Sequence, residues 1–544
     1  MGKEWAIDWD LLFQNFAAYA HWDAGSSPTL HGLLFGSPGR IHVPIFAAAP
    51  DNYSIRQIGS CLSSDVDLVG VIRVDGASGD HAPTLPKGGV EIKMTREHLE
   101  DKNIQAIKKA NPFLIDAKDE GLPKLAVTKV NFECILRFNE EKKELITAFD
   151  RQIMLLDSIA FLTPDRKILS AAANEKDKLS LPIPESGPVR LMAMQATAPP
   201  PSEEETIVPV VRVAKGVVEV TQLRVPIDVA VVIDGVDTIR GLQTRLVEAI
   251  RRRLEASYRE MIKLLPKKAS LALSSGLFFP PGWSRPLNLQ RPANYESEGD
   301  ALEWRRDMHK LFNLPAGFPV IRSGQNILAS TPGLIRDIHK HVKNYRPLDG
   351  GEIAVVKSGY DYYHYLQQGF DDSGWGCAYR SGQSIASWFL INGFVEGVVP
   401  THREIQECLV KIGDKMENFI GSRKWIGSTE LGFVLETLFG ISYKIMTTNS
   451  GIEVADRARE LLYHFRRVGT PVMIGGGQLA HTILGVDMNV DTGEVRFLVL
   501  DPHYTGRDEL GAALAGGCKW EKASFWRADS FYNLLLPQIP INVI

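Results

Sequence analysis

Cys377 stands in the run Gly374-Trp375-Gly376-Cys377-Ala378-Tyr379-Arg380, ahead of a stretch in which Ile385, Trp388 and Phe389 fall at helical spacing. That pattern predicts a helix starting at or just after Cys377, with Gly393 as its stop. A thiol at a helix N-terminus meets unpaired N–H groups and the positive end of the helix dipole, and both favour the nucleophilic thiolate. The flanking glycines carry no Cβ and let another backbone approach. Free cysteines are more often simply buried, so a nucleophile also needs a base. One is available at Asp501-Pro502-His503, where the apolar run Leu498-Val499-Leu500 breaks. Residues two apart on a strand share a face, so Asp501 and His503 can sit side by side, the carboxylate fixing the imidazole tautomer.

Other side chains compete for these roles. His481, after Gly475-Gly476-Gly477-Gln478, could act as base or meet substrate. His402 follows Pro400 and Thr401 and reads as a first-turn helix residue, with Cys408 inert in the same helix. Acyl transfer also needs donors aimed at the oxyanion. The Cys377 N–H is one; the cluster Tyr360, Tyr362, Tyr363, His364, Tyr365 offers phenols for the other, and spacing does not choose among them.

The elements that must hold these groups belong to a long chain. At 544 residues it exceeds one hydrophobic core and predicts two or three domains. With 44% hydrophobic and 23% charged residues it has the composition of a globular protein rather than a disordered one. A net charge of −4 argues against nucleic acid or an anionic membrane surface as partner. Arg251, Arg252 and Arg253 read as the solvated face of a helix. Five cysteines without a CxxC pair or zinc-finger spacing predict no disulfide framework, metal or cofactor, and a reducing cytosolic or nuclear compartment. The N-terminus lacks a signal-peptide pattern, and no apolar run reaches the roughly 20 residues a spanning helix needs.

Composition divides the chain into an N-terminal domain over 1–181, a Pro/Ser/Glu-rich linker over 182–206, an intermediate α/β domain over 207–344 and a last domain over 345–544. The fold class expected is α/β in the broad sense that includes α+β. In the first domain, residues 31–50 and 66–74 read as buried strands and 95–114 as a helix ending near Pro112. After the linker come alternating strands over 207–234, then a helix over 238–264 whose stripe is Leu242, Leu246, Ala249, Ile250, Leu254, Tyr258 and Ile262.

Four separated motifs occur in order: GWGCAYRSGQ at 374–383, WIGS at 425–428, GGGQLAHTILGV at 475–486 and DPHYTG at 501–506. With them, residues 345–544 resemble the ubiquitin-fold modifier 1-specific proteases, especially the longer members with a large N-terminal extension. The resemblance implies a papain-like cysteine protease domain with a catalytic set of Cys377, Asp501 and His503. It also implies that Tyr365 is the second oxyanion donor and that no cofactor is needed. Family activity would be thiol-dependent cleavage after the modifier's C-terminal glycine, on its precursor and on conjugated lysines. Trp375, Trp425, Gly475, Gly476, Gly477 and His481 are the expected substrate-slot residues. The N-terminal half would be a non-catalytic targeting module, of the MPN kind around residues 31–37. It lacks the HxH and spaced Asp of the metal-dependent isopeptidases, so neither zinc nor activity is expected there. Its partner would be an adaptor or substrate at the endoplasmic reticulum, placing a cytoplasmic enzyme at that surface, with the nucleus as a further location. Two alternatives are an autophagin-like protease of the autophagy modifier, and a targeting scaffold whose protease region is secondary.

Overall fold

The helix expected over 238–264 forms as Ile239–Leu264, with Leu242, Leu246, Ile250 and Leu254 fully buried along one stripe. The computed structural model describes residues 4–540 other than 23–29, 49, 76–82, 118–122, 138–140, 183–187, 195–219, 235, 237, 265–272, 293–300, 317–318, 323–324, 328–333, 344 and 358. Two compact units result, Met1–Leu328 and Ala329–Val543.

Among the described residues the first unit holds three sheets, of six, five and two strands. Its organisation departs from the expected 1–181, 182–206 and 207–344 division. The strands Leu125–Arg137 and Val220–Val232 pair antiparallel over thirteen residues, so chain from both sides of the expected linker shares one sheet. Within the linker itself, Val189–Met194 is a strand, parallel to Leu125–Arg137 and antiparallel to Ala160–Leu162. Its alternation explains this: Val189 and Leu191 face the core while Arg190 and Met192 face out. The rest of the linker, 183–187 and 195–206, lies outside the described residues. The single helix expected over 95–114 is two short ones, Arg96–Glu100 and Ile104–Ala110. Lys102 has φ 52°, and Asn103 caps the second helix through the Ala106 N–H. Among the described residues no helix is long and apolar enough to cross a membrane.

The second unit begins before residue 345. Ile335–Arg336 pairs with Asp361–Tyr362, Arg336 bridges to Asp361 at 2.9 Å, and Asp337 Oδ1 accepts from the Gly359 and Tyr360 N–H groups. Its main sheet is antiparallel throughout. The strand order is Tyr443–Thr448, Tyr532–Pro537, Val472–Gly476, Leu479–Met488, Val495–Leu500, Cys518–Lys522, and Glu352–Val355 also pairs with Leu479–Met488. Against it packs the helix Cys377–Ile391, buried from Cys377 through Phe389. A helix set into an antiparallel sheet, with the cysteine at its N-terminus, is the papain-like arrangement. The helix ends in a Schellman motif: Gly393 at φ 72° donates to Leu390 and Phe394 donates to Phe389, so Gly393 is the stop the sequence indicated.

Candidate active site

Cys377 is the first residue of its helix, with Gly376 as N-cap, and is 8% exposed. Burial alone would push its thiol up, but the nearby His503, then the Ala480 N–H and the Tyr365 hydroxyl, favour the thiolate and bring it below the ordinary thiol range. The Ala480 donor comes from the strand Leu479–Met488, presented by a two-residue turn in which Gly477 (φ 58°) and Gln478 (φ 72°) are both left-handed. That is a type I′ hairpin, and it sets Gly475 opposite Ala480.

Asp501 and His503 lie together, for a reason other than strand alternation. The strand stops at Leu500, and Asp501 Oδ1 then accepts from the His503 backbone N–H (2.9 Å) and from its Nδ1–H (2.7 Å). This Asx-type turn folds the imidazole back onto its own carboxylate. Nε2 has no hydrogen-bond partner, and the neighbouring Cys377 favours the charged ring electrostatically. Burial works against the imidazolium, yet the Asp501 and Cys377 interactions outweigh it and raise His503 to about 9. Burial likewise opposes the Asp501 carboxylate, and the two His503 donors hold it below its usual range. The geometry is that of a thiolate–imidazolium pair with an orienting carboxylate.

The structure separates the tyrosines. Tyr360 contacts His339, Tyr362 donates to the Asp501 carbonyl, Tyr363 is buried behind the helix, and among these Tyr365 alone is near enough to Cys377 for the sulfur to shift its phenol. The Cys377 backbone N–H also acts on the Tyr365 phenol, so the two expected oxyanion donors lie near one another. Its position is fixed from the other side, because its own N–H donates to the Pro502 carbonyl at 2.9 Å. Burial, then the adjacent sulfur, keep its phenol protonated well above the ordinary range, so it stays a donor.

The expected slot residues divide. Trp425 is 54% exposed, and its indole N–H donates to the Gly374 carbonyl (3.0 Å), which places it beside the cysteine segment. Trp375 is 7% exposed, and its ring packs edge-on against Phe370, Tyr379 and His402. His481 sits behind the Asp501–His503 pair. It is 8% exposed, Nε2 lies 3.9 Å from Asp501 Oδ1, and its ring packs on His503, Phe525 and Trp526. Burial lowers it to about 4, so it backs the pair as a neutral imidazole. Gly476 owes its lack of a Cβ to internal packing, since one would stand 2.2 Å from the Phe531 carbonyl. Gly477 serves the turn, and only Gly475 sits across the hairpin from Ala480. Cys408 is buried in its helix with its thiol pushed up by desolvation. The Ala480 N–H was not legible beforehand, because a backbone donor leaves no mark in residue type. His402 does begin its helix, but its Nε2 also bonds Asp372 at 3.0 Å, a contact no local pattern announces.

Comparison with known proteins gives concordant results. A family model for peptidase family C78 matches residues 351–535, and one for the N-terminal part of ubiquitin-fold modifier 1 specific protease 2 matches 167–326. A Ufm1-specific protease of Caenorhabditis elegans is 38% identical over 569 aligned positions, covering 99% of this chain and 95% of that protein. Human Ufm1-specific protease 2 is 42% identical over 340 positions, covering 61% of this chain and 72% of that protein. A crystal structure of UfSP from C. elegans superimposes with a TM-score of 0.83 at 34% identity, covering 99% of this chain and all of that one.

Proposed function

The chain belongs to the Ufm1-specific protease family, and from that premise we propose that it matures the precursor of ubiquitin-fold modifier 1 and releases the modifier from conjugated lysines, with Cys377 as nucleophile. It is a cysteine protease. One observation carries the assignment of roles: Cys377 opens a helix and its thiol is lowered chiefly by His503, whose far nitrogen Asp501 holds at 2.7 Å. The thiolate attacks the carbonyl of the modifier's terminal glycine. The Cys377 N–H and the Tyr365 hydroxyl stabilise the oxyanion, and His503 protonates the leaving amine. Water, deprotonated by His503, then hydrolyses the thioester and frees the modifier's carboxylate. The family match and the relatives' names favour this reading over an autophagin-like one. Suicide probes built on several ubiquitin-like modifiers test it: the Ufm1 probe should label Cys377, and labelling by another modifier in its place would contradict the substrate.

Trp425 is the slot residue best placed to meet the modifier's tail. Trp425→Ala is expected to raise KM for the precursor by about 10-fold, the usual scale for an exposed aromatic anchor, with kcat changed much less. An unchanged KM removes it from the slot.

The first unit is a targeting module of the MPN kind that brings a cytoplasmic enzyme to an adaptor or substrate at the endoplasmic reticulum. What supports this is the match of residues 167–326 to an N-terminal domain distinct from the peptidase family. A chain beginning at Ala329 should therefore cleave free precursor at near-native rate but act poorly on membrane-bound conjugates. Equal action on both would remove the targeting role.

A further inference from the structure

The segment from Tyr365 to Cys377 carries an oxyanion donor at each end, and its backbone is unusual. Leu366 (φ 63°) and Gln368 (φ 60°) are left-handed without being glycine, and Gly369 and Gly374 are left-handed as well. L side chains rarely adopt that conformation, so the loop keeps its shape only where surrounding contacts impose it. Those contacts converge on one side chain. Asp372 is 0% exposed, and its Oδ1 accepts from the Leu366 N–H at 3.0 Å. Its Oδ2 accepts from Arg380 Nε at 2.6 Å and bonds His402 Nε2 at 3.0 Å. Its backbone carbonyl accepts from the Trp375 N–H (3.2 Å) and the Gly376 N–H (2.8 Å).

Leu366 follows Tyr365, and Gly376 precedes Cys377. One residue is thus bonded to the chain neighbour of each oxyanion donor. Arg380, a helical turn beyond Cys377, reinforces the arrangement by donating through Nη2 to the Gln367 carbonyl at 3.1 Å. Gly376 is shaped by the same contact: a Cβ there would stand 2.5 Å from Asp372 Oδ2. Gly376 therefore admits the Asp372 carboxylate, not the substrate backbone.

Resting on the function proposed above, we propose that Asp372 is a positioning residue that fixes the Tyr365 hydroxyl relative to the Cys377 N–H, and so sets the oxyanion hole without touching substrate. The nucleophile is activated chiefly by His503, with the Ala480 N–H next and Tyr365 contributing least. Loss of Asp372 should accordingly harm transition-state stabilisation more than thiolate formation.

Asp372→Asn keeps the size but places an uncharged amide before Arg380 and His402. In the full chain, kcat on the modifier precursor is expected to fall about 100-fold, the scale of one misplaced oxyanion donor, with KM within about twofold. Alkylation of Cys377 by iodoacetamide should stay within about twofold of native. The deciding measurement is a cycle with Tyr365→Phe: the double variant should be no more than about twofold slower than Tyr365→Phe alone. Losses that multiply, or alkylation that slows in step with kcat, overturn the proposal. If Asp372→Asn does not fold, His402→Phe keeps the stack on Tyr379 and removes one donor to the carboxylate. It should show a smaller loss with the same lack of additivity, and additive behaviour there overturns the proposal equally. An unsubstituted chain that fails to cleave the precursor overturns the function reading and this one together. Cleavage with additive losses overturns this one alone.

Discussion

Cys377→Ser is expected to reduce precursor turnover by roughly 10⁵-fold, the scale of removing a protease nucleophile, while the modifier still binds with near-native affinity. The reasoning runs through the sulfur's partners. His503, Tyr365 and the Ala480 N–H lower the thiol pKa enough for a thiolate to form despite burial. A serine hydroxyl holds its proton far more tightly, so the same donors leave it neutral, and the shorter C–O bond draws the oxygen back from His503. Binding survives because the substituted atom is nearly buried and contributes little surface. No other described cysteine can take over: Cys61, Cys408 and Cys518 are buried, and desolvation pushes Cys408 up and Cys518 to about 12. Single-turnover cleavage of the precursor and a binding titration measure the two quantities. Residual turnover above about 1% of native would exclude Cys377 as the attacking atom, given the scale just stated.

What the sequence disclosed about this site follows from which interactions are local. The helix at Cys377 was readable because its stop, Gly393, and its buried face are set within a few residues. The Asp501–His503 pairing was readable for the wrong reason: the proximity expected from strand alternation is real but comes from an Asx turn beyond the strand end. Spacing could not tell Tyr365 from Tyr360, Tyr362 and Tyr363, and only the family resemblance singled it out, since the fold of the 366–376 loop decides which hydroxyl lies by the sulfur. Trp375 was ambiguous because a tryptophan between glycines beside a nucleophile suits a slot wall as well as the aromatic cluster it packs in. In the first unit, the Pro/Ser/Glu content around residue 190 concealed a six-residue strand whose partners lie far away in sequence. Composition registers the average of a segment, whereas pairing depends on the alternation inside it.

Asp501→Asn tests whether the carboxylate acts by charge or only by holding the ring. Asparagine keeps an oxygen that can still accept from the His503 N–H groups, so geometry is largely preserved and the negative charge is lost. Where such a carboxylate sets the tautomer and stabilises the imidazolium, kcat falls on the order of 10⁴-fold. The pH profile should change in a defined direction. In the native chain the active pair is thiolate and imidazolium, so activity declines at alkaline pH as His503 loses its proton near 9. Both limbs belong to the coupled pair rather than to either residue alone. Without the Asp501 charge, burial is less opposed, His503 falls below its native value, and the alkaline limb moves to lower pH. Stability carries the same sign. Because the folded value lies above the ordinary one, the contribution of charged His503 is complete below about pH 6.5 and is lost as pH climbs through about 9. The native melting temperature should therefore decline between pH 7 and 9.5 by more than that of Asp501→Asn. His481 does not compensate, since it is already neutral and makes its nearest charged contact with the same carboxylate. An alkaline limb that stays in place in the variant would mean that the raised His503 value comes from the Cys377 thiolate alone, and would reduce Asp501 to a steric support for the ring.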